Sequence, residues 1–243
     1  IESEQLMEAL EQIGLAKGRT FNRSLLDKVE LELQRQYFSR GKYGVKIDSD
    51  VKELERNRVE IAIEVFEGAI AKITQINIVG NKAFNNEKLL RQIQLGTPST
   101  FSPFSSVDQY SRQKLAADLE TLKSYYLDRG YINFNIESTQ VSITQDKRHV
   151  YITINIVEGE QYYVKEVKLA GDLVVPEDEL WPLIKIKPGD IFSRRVVTES
   201  AAQITERFGE AGYAFSNINP IPDIDNEPRE VTLTFYADPG KRV

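Results

Sequence analysis

Three stretches of this chain align without a gap: FNRSLLDKVELELQRQYFSRG (21–41), YSRQKLAADLETLKSYYLDRG (110–130) and FSRRVVTESAAQITERFGEAG (192–212). An internal repeat constrains a fold strongly, because every copy must form the same supersecondary unit. Each copy opens on an aromatic (Phe21, Tyr110, Phe192) and carries Arg third (Arg23, Arg112, Arg194). An apolar stripe follows at Leu26/Leu115/Val197, Leu33/Leu122/Ile204 and Tyr37/Tyr126/Phe208. Spacings of seven and four keep that stripe on one helical face. Gly41, Gly130 and Gly212 then stand where a helix stop favours a left-handed residue, and a Tyr comes within two positions each time (Tyr43, Tyr131, Tyr213).

After each helix comes a strand and then an alternating run, RVEIAIEVFEG, HVYITINIVEG or EVTLTFYADPG, so every copy ends in a hairpin. In the second run Val150, Ile152, Ile154 and Ile156 alternate with His149, Tyr151, Thr153 and Asn155, which puts one face under the helices and the other in solvent. Reading forward from Gly68, a strand (73–79), a short helix (about 86–94), the long helix and the hairpin give β-α-α-β-β, a two-layer α+β unit. The expected domains are 1–68, lacking its first strand, 69–159 and 160–240, with 241–243 beginning a further repeat. Unit two alone carries a Ser- and Pro-rich insertion within LGTPSTFSPFSSVDQY. The chain starts without Met inside IESEQLMEALEQIGL, which reads as a helix, and stops at KRV where a strand is due, so it reads as a piece of a longer protein.

Composition narrows the function. Lys and Arg total 31 against 37 Asp and Glu, and the net charge of -6 repels a polyphosphate backbone, so nucleic acid is not an expected partner. With no Cys, disulfides, thiol catalysis and Cys-type zinc sites are excluded. No run approaches the roughly 18 apolar residues of a membrane helix.

The β-α-α-β-β order, the Gly-Tyr turn, the Glu-Gly joint, and especially LAADLETLKSYYLDRGYINFNIESTQVSIT with KITQINIVGNKAF, resemble the POTRA (polypeptide-transport-associated) domains of the Omp85 family of outer-membrane β-barrel assembly proteins. The resemblance covers essentially the whole chain, with the units similar to the second (partial), third and fourth POTRA domains. It implies tandem repeats, each a three-stranded mixed sheet under two antiparallel helices. It also implies a non-enzymatic periplasmic scaffold that leads into its own C-terminal membrane β-barrel. Implied partners are unfolded outer-membrane β-barrel proteins and accessory lipoproteins of the assembly complex. The alternative is a spacer and docking arm of another Omp85-type transporter, of the translocation and assembly module or two-partner secretion kind, without direct client binding.

The residues offer no catalytic constellation. A single His, His149, rules out a two-His metal site, and it falls on the solvent phase of its strand, which argues against a Ser-His-Asp triad. DIDNE (223–227) lacks the spacing of a calcium loop and reads as a hairpin turn. GEAG (209–212) has the pattern of an RNA-binding GxxG loop but joins helix to strand and carries Glu. NRS (22–24) reads as a helix start. Trp181, followed by Pro182 in a short or kinked helix, reads as a core residue or as an exposed anchor for a partner, with core the commoner case. No cofactor is expected.

What remains is backbone. The family implies a free edge on the first strand of each hairpin. In unit three that strand holds Pro220 and Pro222, tolerated at edges. In unit two it has no Pro, and its apolar phase runs Ile132, Phe134, Ile136 and then Val141, Ile143, so either a bulge lies in ESTQ or the strand ends near Glu137. The expected client-binding edge is Ile132, Asn133, Phe134, Asn135, Ile136, Ser138, Thr139, Gln140, Val141, Ser142 and Ile143, with a secondary edge at Val45, Ile47 and Val51. Gly68, Gly159 and Gly240 are expected joints between units, turning the chain with positive φ.

Overall fold

A computed structural model describes residues 11, 18–97 and 107–242. The expected helix in the first fifteen residues and most of the Ser- and Pro-rich insertion therefore lie outside the described residues. The elements in chain order are α1 (Arg23–Ser39), β1 (Lys46–Leu54), β2 (Arg58–Phe66), β3 (Lys72–Val79), α2 (Asn86–Leu90), α3 (Arg112–Leu127), β4 (Asn135–Ile143), β5 (His149–Val157), β6 (Tyr163–Gly171), α4 (Glu177–Leu180) with a 3-10 turn (Trp181–Leu183), α5 (Arg194–Glu210), β7 (Asn217–Asp225) and β8 (Glu230–Asp238). By packing, the chain falls into two compact units, residues 1–76 with 94–117 and 140–153, and residues 77–93 with 118–139 and 154–243.

The repeated helix signals act locally. The recurring Arg is the first helical residue of α1, α3 and α5, and in α1 and α5 a capping residue precedes it. Asn22 Oδ1 accepts from the Ser24 amide at 2.9 Å, and Ser193 Oγ from the Val196 amide at 3.4 Å. At the other end, the Lys42 amide donates to the Tyr37 carbonyl at 3.0 Å and the Gly41 amide to the Phe38 carbonyl at 3.0 Å. The equivalent Tyr131-to-Tyr126 and Tyr213-to-Phe208 bonds are 3.1 and 3.0 Å. These are Schellman stops, and they consume carbonyls that would otherwise lack partners.

The sheets are β1-β2, β3-β5-β4 and β6-β8-β7. Strand β6 runs parallel to β8 while β7 runs antiparallel to it, which makes that sheet mixed. The last strand of each three-stranded sheet is central, so its alternating apolar row is sealed: Val150, Ile152, Ile154 and Ile156 on β5, and Val231, Leu233, Phe235 and Ala237 on β8, are all buried. Among the described residues the β1-β2 pair has no third strand, and its inward positions are only half-buried. Buried Leu26, Val29, Leu33 and Tyr37 on α1 supply the apolar side of that hairpin's unit.

Two local expectations change. Helix α2 stops at Leu90, short of 94, where a Gln92-to-Leu89 backbone bond of 3.0 Å tightens its last turn. Trp181 is 41% exposed, and its Nε1 donates to Glu177 Oε2 at 3.3 Å; neighbouring Leu180 is the residue at 0% that fills the core. With Pro182 forcing a 3-10 turn, the indole leaves the face that Leu180 occupies.

Candidate partner-binding edge and joints

Strand β4 pairs with β5 alone, so among the described strands nothing covers its other side. It is nine residues long and free of Pro, whereas edge strand β7 loses two donors at Pro220 and Pro222. Its half-buried positions are Ile136 and then Thr139, Val141 and Ile143, with Glu137 and Ser138 both exposed between them. The strand does not stop near Glu137. Its phase slips there by one residue, the effect of an extra residue in the strand. Asn155 Nδ2 on β5 donates to Ser138 Oγ at 2.8 Å beside the slip.

Ile132, Asn133 and Phe134 lie ahead of the strand, in a turn closed by Ile132-to-Gly130 and Phe134-to-Tyr131 backbone bonds of 3.0 and 3.1 Å. With their backbone committed to that turn, they anchor the edge without extending it. Phe134 is buried and stacks on Tyr126 at 4.2 Å between centroids. Asn133 Nδ2 donates to Tyr162 Oη at 3.0 Å. Val45 likewise precedes β1 and is buried, while Ile47 and Val51 sit on β1 opposite Val65 and Ile61. Asn135, Gln140 and Ser142 are exposed on β4.

At Gly68, Gly159 and Gly240, φ is +70°, +73° and +66°. A Cβ on Gly68 would meet the Gly44 backbone at 3.0 Å, one on Gly159 the Asn133 Cβ at 3.1 Å, and one on Gly240 the Phe215 carbonyl oxygen at 3.3 Å. Gly44, Asn133 and Phe215 each stand three residues beyond a helix-stop glycine, so the same close approach recurs in all three copies.

Sequence reasoning missed a second part of the joint. The Ala71 amide donates to the Gly41 carbonyl at 2.9 Å, and the Tyr162 amide to the Gly130 carbonyl at 2.9 Å. The Ala71 and Tyr162 carbonyls accept in turn from Tyr110 at 3.3 Å and Phe192 at 3.0 Å. Gly41 and Gly130 thus also receive the chain that follows the hairpin. Their recurrence was already explained by capping, so nothing in the sequence called for a second role.

The Glu of the Glu-Gly joint is also engaged. Glu158 is 8% exposed and accepts from the Ala83 amide at 3.1 and 3.0 Å and from Tyr126 Oη at 2.7 Å. Burial, then the hydrogen bond and charge of Glu158, push the Tyr126 phenol well above its ordinary pKa. Among the described residues no cluster of His, Asp and Glu could hold a metal ion, and no helix is long and apolar enough to cross a membrane.

Repeated α+β units with an open sheet edge and recurring positive-φ glycines define a tandem-repeat protein. The POTRA family model, described as a surface antigen variable number repeat, matches residues 1–68, 71–159 and 162–240, and the chain belongs to that family. Along its whole length it is 33% identical to the outer membrane protein assembly factor BamA of Neisseria meningitidis and 30% identical to that of Buchnera aphidicola. It spans 31% and 39% of those two proteins. It is similar to the crystal structure of Haemophilus influenzae BamA POTRA3-5, with a TM-score of 0.61 and 26% identity over 71% of this chain and 67% of that one.

Proposed function

We propose that this chain is a periplasmic scaffold segment of an outer-membrane protein assembly factor, acting without catalysis and leading into a membrane β-barrel. The Neisseria meningitidis and Buchnera aphidicola relatives are named outer membrane protein assembly factors. In this reading, β4 accepts extended segments of unfolded outer-membrane proteins by strand addition, and the repeats dock accessory lipoproteins. The observation that carries the proposal is the Pro-free β4 of nine residues on an open sheet side, set against the Pro-interrupted β7.

Strand addition reads backbone more than side chains, which suits clients of varied sequence. About four main-chain bonds at a net 0.5–1.5 kcal/mol each come to about 2–6 kcal/mol before ordering costs, and about 4 kcal/mol corresponds to a millimolar complex. Such a complex forms and releases readily, as a client passed onward to a barrel requires.

The test is a titration of the isotope-labelled chain with a strand peptide from an outer-membrane barrel. Amide shifts centred on residues 135–143 are expected. Shifts confined to other strands would overturn the assignment of the edge, and a single saturable, sequence-dependent protein partner with no peptide response would favour the docking-arm role.

A further inference from the structure

A polar groove of about 440 Å³ opens beside α3 and the start of α5, lined by Gln92, Ser124, Tyr125, Asp128, Arg129 and Arg195 among others. Its cationic groups are unevenly engaged. The Arg129 guanidinium lies over the Tyr125 ring at 3.6 Å and gives one N–H to the Tyr125 carbonyl at 2.9 Å. Arg194, next to the groove, donates to Ser124 Oγ at 2.8 Å. Among the described residues neither has a carboxylate partner. Tyr125 is only 6% exposed, and among the described residues its buried hydroxyl has no hydrogen-bond partner.

The groove's one lining carboxylate, Asp128, and a second beside Arg195 are already committed. Asp128 Oδ1 accepts from the Arg195 amide at 2.8 Å, and Glu199 pairs with the Arg195 guanidinium at 3.1 Å. On a chain of net charge -6, this groove presents guanidinium N–H groups held in place by a ring and a hydroxyl, with most of their donor capacity unspent.

We infer that this groove receives carboxylate side chains from an acidic segment of a partner protein. A guanidinium stacked flat on an aromatic ring turns its N–H edge outward, and a planar carboxylate meets that edge with two parallel bonds. Asp128 in the lining and Glu199 paired with Arg195 oppose a doubly charged phosphate more than a singly charged carboxylate. The groove is partly open, so the contact is salt-sensitive and reversible. It is independent of strand addition at β4, and each can fail without the other.

The experiment titrates the isotope-labelled 243-residue chain with an acetylated, amidated tetraglutamate peptide and, separately, with tetraglutamine. Saturable amide shifts within 121–129 and at Arg195 are expected with tetraglutamate alone, weakening several-fold as salt is raised. Arg129→Gln should lower the affinity roughly tenfold, by loss of a bidentate charge-assisted pair. Arg195→Gln keeps the backbone bond to Asp128 and should weaken binding too, which preserves the test if Arg129→Gln unfolds. Equal shifts with tetraglutamine, or no saturable shift with either peptide, would overturn the inference. So would perturbation of these amides only by phosphatidylglycerol vesicles, which would make the groove a membrane contact.

Discussion

Tyr126 Oη donates to Glu158 Oε1 at 2.7 Å, and the equivalent pair in the first copy, Tyr37 Oη and Glu67 Oε1, lies at 3.1 Å. In the third copy Phe208 and Pro239 occupy the two positions, so phenol and carboxylate are lost together. The pair ties the long helix to the end of the hairpin at the joint. Tyr126→Phe leaves the buried carboxylate without one of its donors and should destabilise the chain by about 1–3 kcal/mol. In urea melts, Glu158→Ala should cost more, since it also strips the Ala83 amide. The double variant should fall short of the sum of the two, and strict additivity would mean that the bond couples nothing.

Phe134 carries a separate prediction. Buried at 5% and stacked on Tyr126 at an interplanar angle of 13°, it pins the turn that delivers the chain to β4. Phe134→Ala should cost about 3–5 kcal/mol through lost burial and a cavity, and Phe134→Asp should cost more by leaving an unpaired buried charge. A thermal melt near that of the parent would remove Phe134 from the core.

Two glycines of similar backbone separate strain from crowding. Gly130 and Gly189 have φ of +87° and +90°. A Cβ on Gly130 would meet the Tyr162 carbonyl oxygen at 2.8 Å and Ile191 Cγ2 at 2.9 Å, whereas one on Gly189 would meet nothing within 4 Å. Gly189→Ala should therefore cost about 1–2 kcal/mol from backbone strain alone. Gly130→Ala should cost about 2–5 kcal/mol once overpacking is added. Equal midpoints in denaturant would show that the joint yields to the methyl group.

Alkaline pH probes the first copy. Burial, and then the neighbouring Tyr110, raise the Tyr43 phenol from 10.0 to about 12, with Arg112 opposing. A phenol whose folded-state pKa exceeds its unfolded value stabilises the fold while protonated. That contribution is whole below pH about 10 and is lost as pH rises through about 12. Unfolding free energy measured against pH should fall across this window, and Tyr43→Phe should flatten the fall. An unchanged slope in the variant would assign the effect to other groups.

The sequence by itself determined what is local. The stripe from Leu26 to Tyr37, the helix start at Asn22, the glycine stops and the alternation of β5 and β8 each depend on residues within a turn or two, where helix and strand periods act directly. The glycines at 68, 159 and 240 were legible for the same reason, a tight turn announced by its own residues. Tertiary structure decided everything that joins distant positions. It made the last strand of each mixed sheet central and left β4 open, sent Ile132 to Phe134 into a turn instead of the strand, and turned Trp181 outward while Leu180 took the core. It also gave the Gly130 carbonyl to Tyr162 and the Glu158 carboxylate to Tyr126 and Ala83. These bonds cross about 30 to 75 positions, and at that distance a residue's partner follows from how the layers pack and not from the period of its own segment.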